Sequence, residues 1–250
     1  MSLPPSFREI QALVFDLMGT CTDWHTSILT TMRRYPLPTP LVDSDLPALA
    51  SAWRAGFFET IFKSFNMGEE SLDIDTVHAN VLDKLLESSG VDDDIWTADV
   101  RKDLVQAWHF QQGWPDSVHG LHKLKNSLMI VVLANGTTRL QLDIIRFSGL
   151  PFHTLFSSQL LQATKPNAGI YHKALDLLAL PPAQTAMVAA HAYDLRAAAK
   201  LGMKTIYIQR TTEDPQEDMN IVRAEVDLFI DGIDEKGGLL KLAAMWDQGV

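Results

Sequence analysis

Cysteine is nearly absent. Cys21 is the only one in 250 residues, so no disulfide can close within the chain, and a reducing compartment is expected. Long apolar runs are missing as well. No stretch approaches the roughly 18 residues of a membrane span, and the opening MSLPPSFREI has no apolar core of the signal-peptide kind. A cytoplasmic protein with no membrane partner is the expectation. Basic residues are in deficit, 21 Lys and Arg against 31 Asp and Glu, for a formal charge of −10. No basic run offsets that balance, which argues against a nucleic-acid partner. A small anionic substrate stays compatible with it, because a local Lys or Arg pocket can oppose the global sign. Internal repeats and low-complexity tracts are also lacking. What is present, 46% hydrophobic residues, suffices for one large domain or a core domain with a smaller companion.

The companion is visible as a change of rhythm. Ala12-Leu13-Val14-Phe15 reads as a buried strand that stops at Asp16, ahead of a Gly19-Thr20 turn. From about residue 22 to 113 the pattern turns helical, with no strand signal. Trp53, Phe57, Phe58, Ile61, Phe62 and Phe65 recur three and four apart, one face of an amphipathic helix. Helices are also expected from Thr76 to Leu86 and from Ile95 to Phe110. After Gly113 strands and helices alternate: strands at 128–133, 154–156, 186–190, 205–208 and 228–230, helices at 118–125, 139–147, 171–178 and 194–201. Alternation of this kind predicts an α/β fold with a doubly wound parallel sheet. The expected domains are a core made of residues 1–21 and 114–250 and a helical insertion over 22–113.

Four chemistry-bearing stretches fall at strand ends or helix starts: Asp16-x-x-x-Thr20, Asn135-Gly136-Thr137, Lys165-Pro166 and His191-x-x-Asp194. In a doubly wound sheet they would gather on the carboxyl edge, where such folds bind ligands. Their order and spacing resemble the haloacid dehalogenase superfamily, whose Rossmann-like core carries a nucleophilic aspartate after the first strand. Phosphatases of that superfamily place a second aspartate two residues after the nucleophile, where this chain has Met18. They also place a magnesium-binding acid where it has Ala190. Hard cations need several oxygen ligands, and Asp16 and Asp194 alone are few. Phosphoryl transfer is therefore disfavoured, and no metal or other cofactor is expected.

The metal-free branch that fits is similar to the type II 2-haloacid dehalogenases. The resemblance implies a helical cap over residues 22–113 and an aspartyl-ester route from a short 2-haloacid to the 2-hydroxy acid, with inversion at carbon two. Asp16 would be the nucleophile, Thr20 would position it, and Lys165 and Asp194 would orient nucleophile and water. Arg54 and Asn135 would hold the departing halide. Tyr171, Met18 and Trp53 would complete the substrate contacts. A homodimer is expected as the assembly.

The chain departs from the family at four positions. Ala134 stands where Ser or Thr usually grips the substrate carboxylate, and Ala189-Ala190-His191 stands where well-known members read Ser-Ser-Asn. His191 is a candidate base for ester hydrolysis, since imidazole titrates near neutral pH. The altered water half keeps alternatives open: the same aspartate acting on an epoxide, a lactone or another ring-opening or ring-forming metabolite, or a pocket that binds a metabolite without turnover.

Overall fold

The computed structural model describes residues 3–67, 73–91, 94–234 and 237–247. In chain order the principal elements are β1 (Ala12–Phe15), α1 (Trp24–Met32), α2 (Leu46–Met67), α3 (Ile74–Ser88), α4 (Ala98–Gln106), α5 (Ser117–Lys125), β2 (Met129–Ala134), α6 (Thr138–Ser148), β3 (Thr154–Ser157), α7 (Ser158–Leu161), α8 (Ala168–Leu178), β4 (Thr185–Ala189), α9 (Ala192–Ala199), β5 (Lys204–Ile208), α10 (Met219–Glu225), β6 (Leu228–Ile230) and α11 (Gly238–Asp247). The chain divides into two compact units, residues 1–23 with 113–250, and residues 24–112.

The first unit holds a six-stranded parallel sheet of order β3-β2-β1-β4-β5-β6. Val14 on the central strand β1 lies between Val131 and Met187. All residues of β1 and of β4 are buried, as expected when helices cover both faces of a parallel sheet. From β1 the chain builds outward to β2 and β3 and then returns to place β4 on the other side of β1. That reversal leaves a crevice at the carboxyl ends of β1 and β4.

The second unit is helical. Its interior is aromatic: Trp53 and Trp108 are wholly buried, Trp108 stacks on Trp24 at 5.6 Å and on His78 at 4.2 Å, and the Trp53 indole N–H donates to the His78 carbonyl at 2.9 Å. Phe57 is part of this core, while the side chains of Phe62 and Phe65 lie outside the described residues. The helix expected over 95–110 is shorter, because Thr97 is extended (ψ 169°) and the end tightens into a 3₁₀ turn over Ala107–His109. Two-residue strands at Thr22–Asp23 and Gln112–Gly113 interrupt a region expected to have none. Both are too short to carry a period-two signal. No helix among the described residues is long and apolar enough to cross a membrane.

Helix α11, which was not among the expected helices, closes the first unit against α5. The contact depends on Gly120, where a Cβ would lie 2.7 Å from the Leu239 carbonyl carbon and 2.8 Å from its oxygen. Gly to Ala within a helix gains up to about 1 kcal/mol of propensity. Overpacking against backbone costs roughly 1–3 kcal/mol, so the clash prevails. Gly120→Ala is expected to lower the urea midpoint without changing the slope, and an unchanged or raised midpoint would show that the α5–α11 contact yields freely.

Candidate active site

The site begins where β1 ends. The Asp16 N–H donates to the Val188 carbonyl at 3.0 Å, which anchors the residue beside β4 and turns its side chain into the crevice. Gly19, at φ +84°, turns the chain back. A Cβ there would sit 2.4 Å from the Glu213 carboxyl carbon, so both the left-handed backbone and the close approach call for glycine. The turn brings Thr20 under Asp16. Its Oγ1–H donates to Asp16 Oδ2 at 2.7 Å and the same oxygen accepts the Ala190 N–H at 2.9 Å. One hydroxyl thereby ties the end of β1 to the end of β4.

Two buried cations complete the shell of Asp16. Lys165 Nζ donates to Asp16 Oδ1 at 2.7 Å and to Asp194 Oδ2 at 2.5 Å, with the lysine side chain 1% exposed. The Asn135 amide holds the lysine's own backbone, with Oδ1 accepting Lys165 N–H at 2.8 Å and Nδ2 donating to Lys165 O at 3.1 Å. Asn135 thereby clamps Lys165, and one of its two Nδ2 protons is engaged in that clamp. Asp194 sits in the first turn of α9, where the helix dipole favours an anion. The Tyr171 hydroxyl donates to Asp194 Oδ1 at 2.5 Å. Tyr171 is fully buried, so it acts through Asp194 and not as the expected substrate contact.

The second cation is His191. Its Nδ1 lies 3.0 Å from Asp16 Oδ2 and its Nε2 lies 2.7 Å from Glu213 Oε2. The ring stands at the N-cap position of α9 but makes no cap bond. Asp214 supplies that acceptor from another segment, taking the Ala192 N–H at 2.7 Å. Burial pushes the imidazole pKa down, yet the flanking Asp16 and Glu213 carboxylates more than offset this and raise it to about 10. His191 is thus an imidazolium in the resting site, donating from both nitrogens, and not the free base that the sequence invited.

The same balance sets the other groups. Burial alone would raise the Asp16 carboxyl, but Lys165 and His191 hold it far below the usual carboxylate range. Burial opposes the charge on Lys165, and Asp16 and Asp194 outweigh it, so the ammonium stays protonated. Asp194 is pushed upward by burial, with Lys165 working against the shift. Nucleophilic carboxylate chemistry requires this state: ionised, poorly solvated and oriented.

Asp16, Thr20, Lys165, Tyr171, His191 and Asp194 therefore meet within the first unit, joined by Glu213. Sequence reasoning missed Glu213 because it follows β5 in a polar turn, Thr211-Thr212-Glu213-Asp214, with no apolar run to mark it as a strand end. Met18 is half-buried beside the turn. Arg54 and Trp53 belong to the helical unit. The Arg54 guanidinium is buried there, 4.7 Å from the Trp24 ring centre and 4.8 Å from that of Phe58, a dry cationic seat.

Comparison with known proteins agrees with this architecture. The family described as haloacid dehalogenase-like hydrolase matches residues 10–202. The (S)-2-haloacid dehalogenase 1 of Pseudomonas sp. (strain CBS-3) is 27% identical over 211 residues, covering 83% of this chain and 88% of that protein. The (S)-2-haloacid dehalogenase 4A of Burkholderia cepacia is 25% identical, covering 87% and 91%. Among solved structures, the L-2-haloacid dehalogenase PA0810 superposes with a TM-score of 0.81 at 29% identity, covering 96% of this chain and all of that one. The defluorinating L-2-haloacid dehalogenase Rha0230 gives 0.78 at 30% identity, covering 96% of each. With its sheet order, its strand-end aspartate and a family match over most of its length, the chain belongs to the haloacid dehalogenase-like hydrolases.

Proposed function

We propose that the protein is a metal-independent dehalogenase of short 2-haloacids, working through an ester on Asp16. One observation carries this reading: Asp16 is an ionised, buried carboxylate fixed by Lys165, Thr20 and His191, on a scaffold shared with relatives named 2-haloacid dehalogenases. The Met18 and Ala190 side chains offer no carboxylate to a divalent cation, and the ammonium of Lys165 already bridges Asp16 and Asp194. The residues present suit a charge-paired nucleophile better than a hard-metal site.

In the first step Oδ1, which accepts one donor while Oδ2 accepts two, attacks carbon two of the substrate. The carbon–halogen bond breaks, its electron pair leaves with the halide, and a neutral ester forms at Asp16. By the resemblance to the family, Arg54, buried between the Trp24 and Phe58 rings, is assigned the charge on the departing halide. In the second step water attacks the ester carbonyl carbon, the acyl C–O bond breaks, and the 2-hydroxy acid leaves with carboxylate Asp16 restored.

Ester formation is also what frees His191. While Asp16 is an anion, two carboxylates hold the imidazolium proton. Once Asp16 is esterified, only Glu213 does, and the Nδ1 proton is released to solvent as the one proton the overall hydrolysis produces. The imidazole then takes one proton from the attacking water while Glu213 stabilises the renewed cation, and the second water proton passes to the departing carbon-two oxygen. Base catalysis is in this way confined to the covalent stage.

Two outcomes follow. Bromide release from 2-bromopropionate is expected from the wild type, unaffected by EDTA, and lost by several orders of magnitude in Asp16→Asn. His191→Ala should release about one bromide per chain and then stall as a stable ester. Stimulation by magnesium, or full turnover by His191→Ala, would contradict the scheme. A wild type that itself stalls after one bromide would point to an epoxide or lactone as the natural substrate.

The resting charge state is tested separately. An imidazole whose pKa is raised on folding, from an ordinary 6.5 to about 10, contributes stability that is fully present below pH 6.5 and fades as pH rises through about 10. NMR of the His191 ring should show it protonated at pH 8, and Glu213→Gln, which removes one of the two holding charges, should lower the pKa. A His191 ring already neutral at pH 8 in the free wild type would contradict this assignment.

A further inference from the structure

Behind the Gly19–Thr20 turn lies a buried arginine. Arg210 follows β5 and is 4% exposed. Its Nε donates to the Thr20 carbonyl at 3.1 Å and its Nη1 to Asp116 Oδ1 at 2.9 Å. Its guanidinium lies 5.2 Å from the Trp114 ring centre, and the Trp114 indole N–H donates to the Gly19 carbonyl at 2.8 Å. Consecutive carbonyls of the turn that bears Thr20 are thus held by two side chains packed on one another. Asp116 is fixed in turn, since its Oδ2 accepts the Leu239 N–H at 2.6 Å.

Arg210 also touches the other half of the site through its main chain. The Arg210 carbonyl accepts the Glu213 N–H at 3.4 Å, closing the turn that carries Glu213 back to His191. One residue therefore holds Thr20 with its side chain and Glu213 with its backbone. Those two residues align opposite ends of the Asp16–His191–Glu213 row.

Its energetics do not suggest a residue kept for stability. A buried Arg–Asp pair recovers little beyond its desolvation cost, and Nη2 of Arg210 is buried with no hydrogen-bond partner, a further penalty. The planar fork is what lets Nε and Nη1 serve two acceptors at once; a lysine ammonium on a flexible stem does not reproduce that geometry.

We propose that Arg210 is a positioning residue for the reaction: braced by Asp116 and Trp114, it sets the register of the Thr20 turn against the Glu213 turn, and so aligns Asp16 with His191. The proposal rests on the reading of Asp16 as nucleophile. A cavity of about 320 Å³, lined by Trp114, Asp116, Arg210, Thr211 and Gly232 among others, adjoins the guanidinium. A small ion can enter by it when the side chain is removed.

The test compares Arg210→Ala and Arg210→Lys with the wild type, reading both 2-bromopropionate turnover and the His191 titration by NMR. Misplacement of a reacting group is expected to lower kcat on the order of tenfold to a hundredfold, with a smaller change in KM. The His191 pKa should fall as its carboxylate partners lose alignment. Millimolar guanidinium, but not urea or sodium chloride, should restore both in Arg210→Ala. Should Arg210→Ala not fold, Arg210→Lys carries the same two readouts. Variants with wild-type kcat and wild-type His191 titration, altered only in thermal stability, would overturn the proposal. If the wild type releases no bromide the dehalogenase reading fails by itself, and the titration alone then decides whether Arg210 sets the alignment.

Discussion

Two cations buried against one carboxylate are the constraint on which the site depends. Asp16 sits at the head of a strand without a single exposed residue, where an isolated anion would be neutralised by proton uptake. Lys165 and His191 keep it charged, and each must be kept charged in turn. Asp194 and Tyr171 complete the lysine side; Glu213 and Thr212 complete the histidine side, with the Thr212 hydroxyl donating to Glu213 Oε1 at 2.8 Å. Three carboxylates and two cations leave the cluster one negative charge in excess. Such a row is poised to lose an anion, as esterification of Asp16 would make it do.

The fold supplies this cluster from four strand ends and the turn before α8 without asking any one loop for much. The reversal of winding around β1 opens the crevice, β4 delivers His191 and Asp194 through the start of α9, and β2 delivers Asn135 to grip the lysine that precedes α8. The turn after β5 brings Glu213 and Asp214 together, one to the imidazole and the other to the helix end that the imidazole leaves uncapped. Positioning by backbone hydrogen bonds recurs throughout, at Val188, Ala190 and both backbone groups of Lys165. Rigid elements of this kind hold a reacting group more tightly than mobile loops do.

Much of this was legible in the sequence, for a physical reason. Asp16, Asn135 and His191 each end an uninterrupted apolar run, and such runs are what a doubly covered parallel sheet requires. Lys165 and Asp194 stand beside recognisable helix starts. Glu213 carried no such mark: a glutamate in a Thr-Thr-Glu-Asp turn is indistinguishable by composition from a solvated loop, and only tertiary folding shows it to be buried. The ionisation of His191 was illegible for the same reason, since it depends on a partner 22 residues away. That Asn135 clamps Lys165 and that Tyr171 meets Asp194 was illegible, because hydrogen-bond partners, unlike strand ends, are not written in periodicity. Helix α11 was legible by the same rule, since its buried Leu239, Leu242, Ala243 and Trp246 stand three and four apart, although it was not among the expected helices.

The central claim is that a carboxylate oxygen of Asp16 becomes part of the bond that is broken. The direct measurement is mass spectrometry of the Asp16 peptide after many turnovers of 2-bromopropionate in water enriched in oxygen-18. Attack of water on the ester carbonyl places the heavy oxygen in Asp16, so the peptide should gain mass at that residue, and label should reach the 2-hydroxy acid only through later turnovers. Label in the product from the first turnover with an unlabelled Asp16 would mean that water displaces the halide directly, and the nucleophilic account of Asp16 would be wrong.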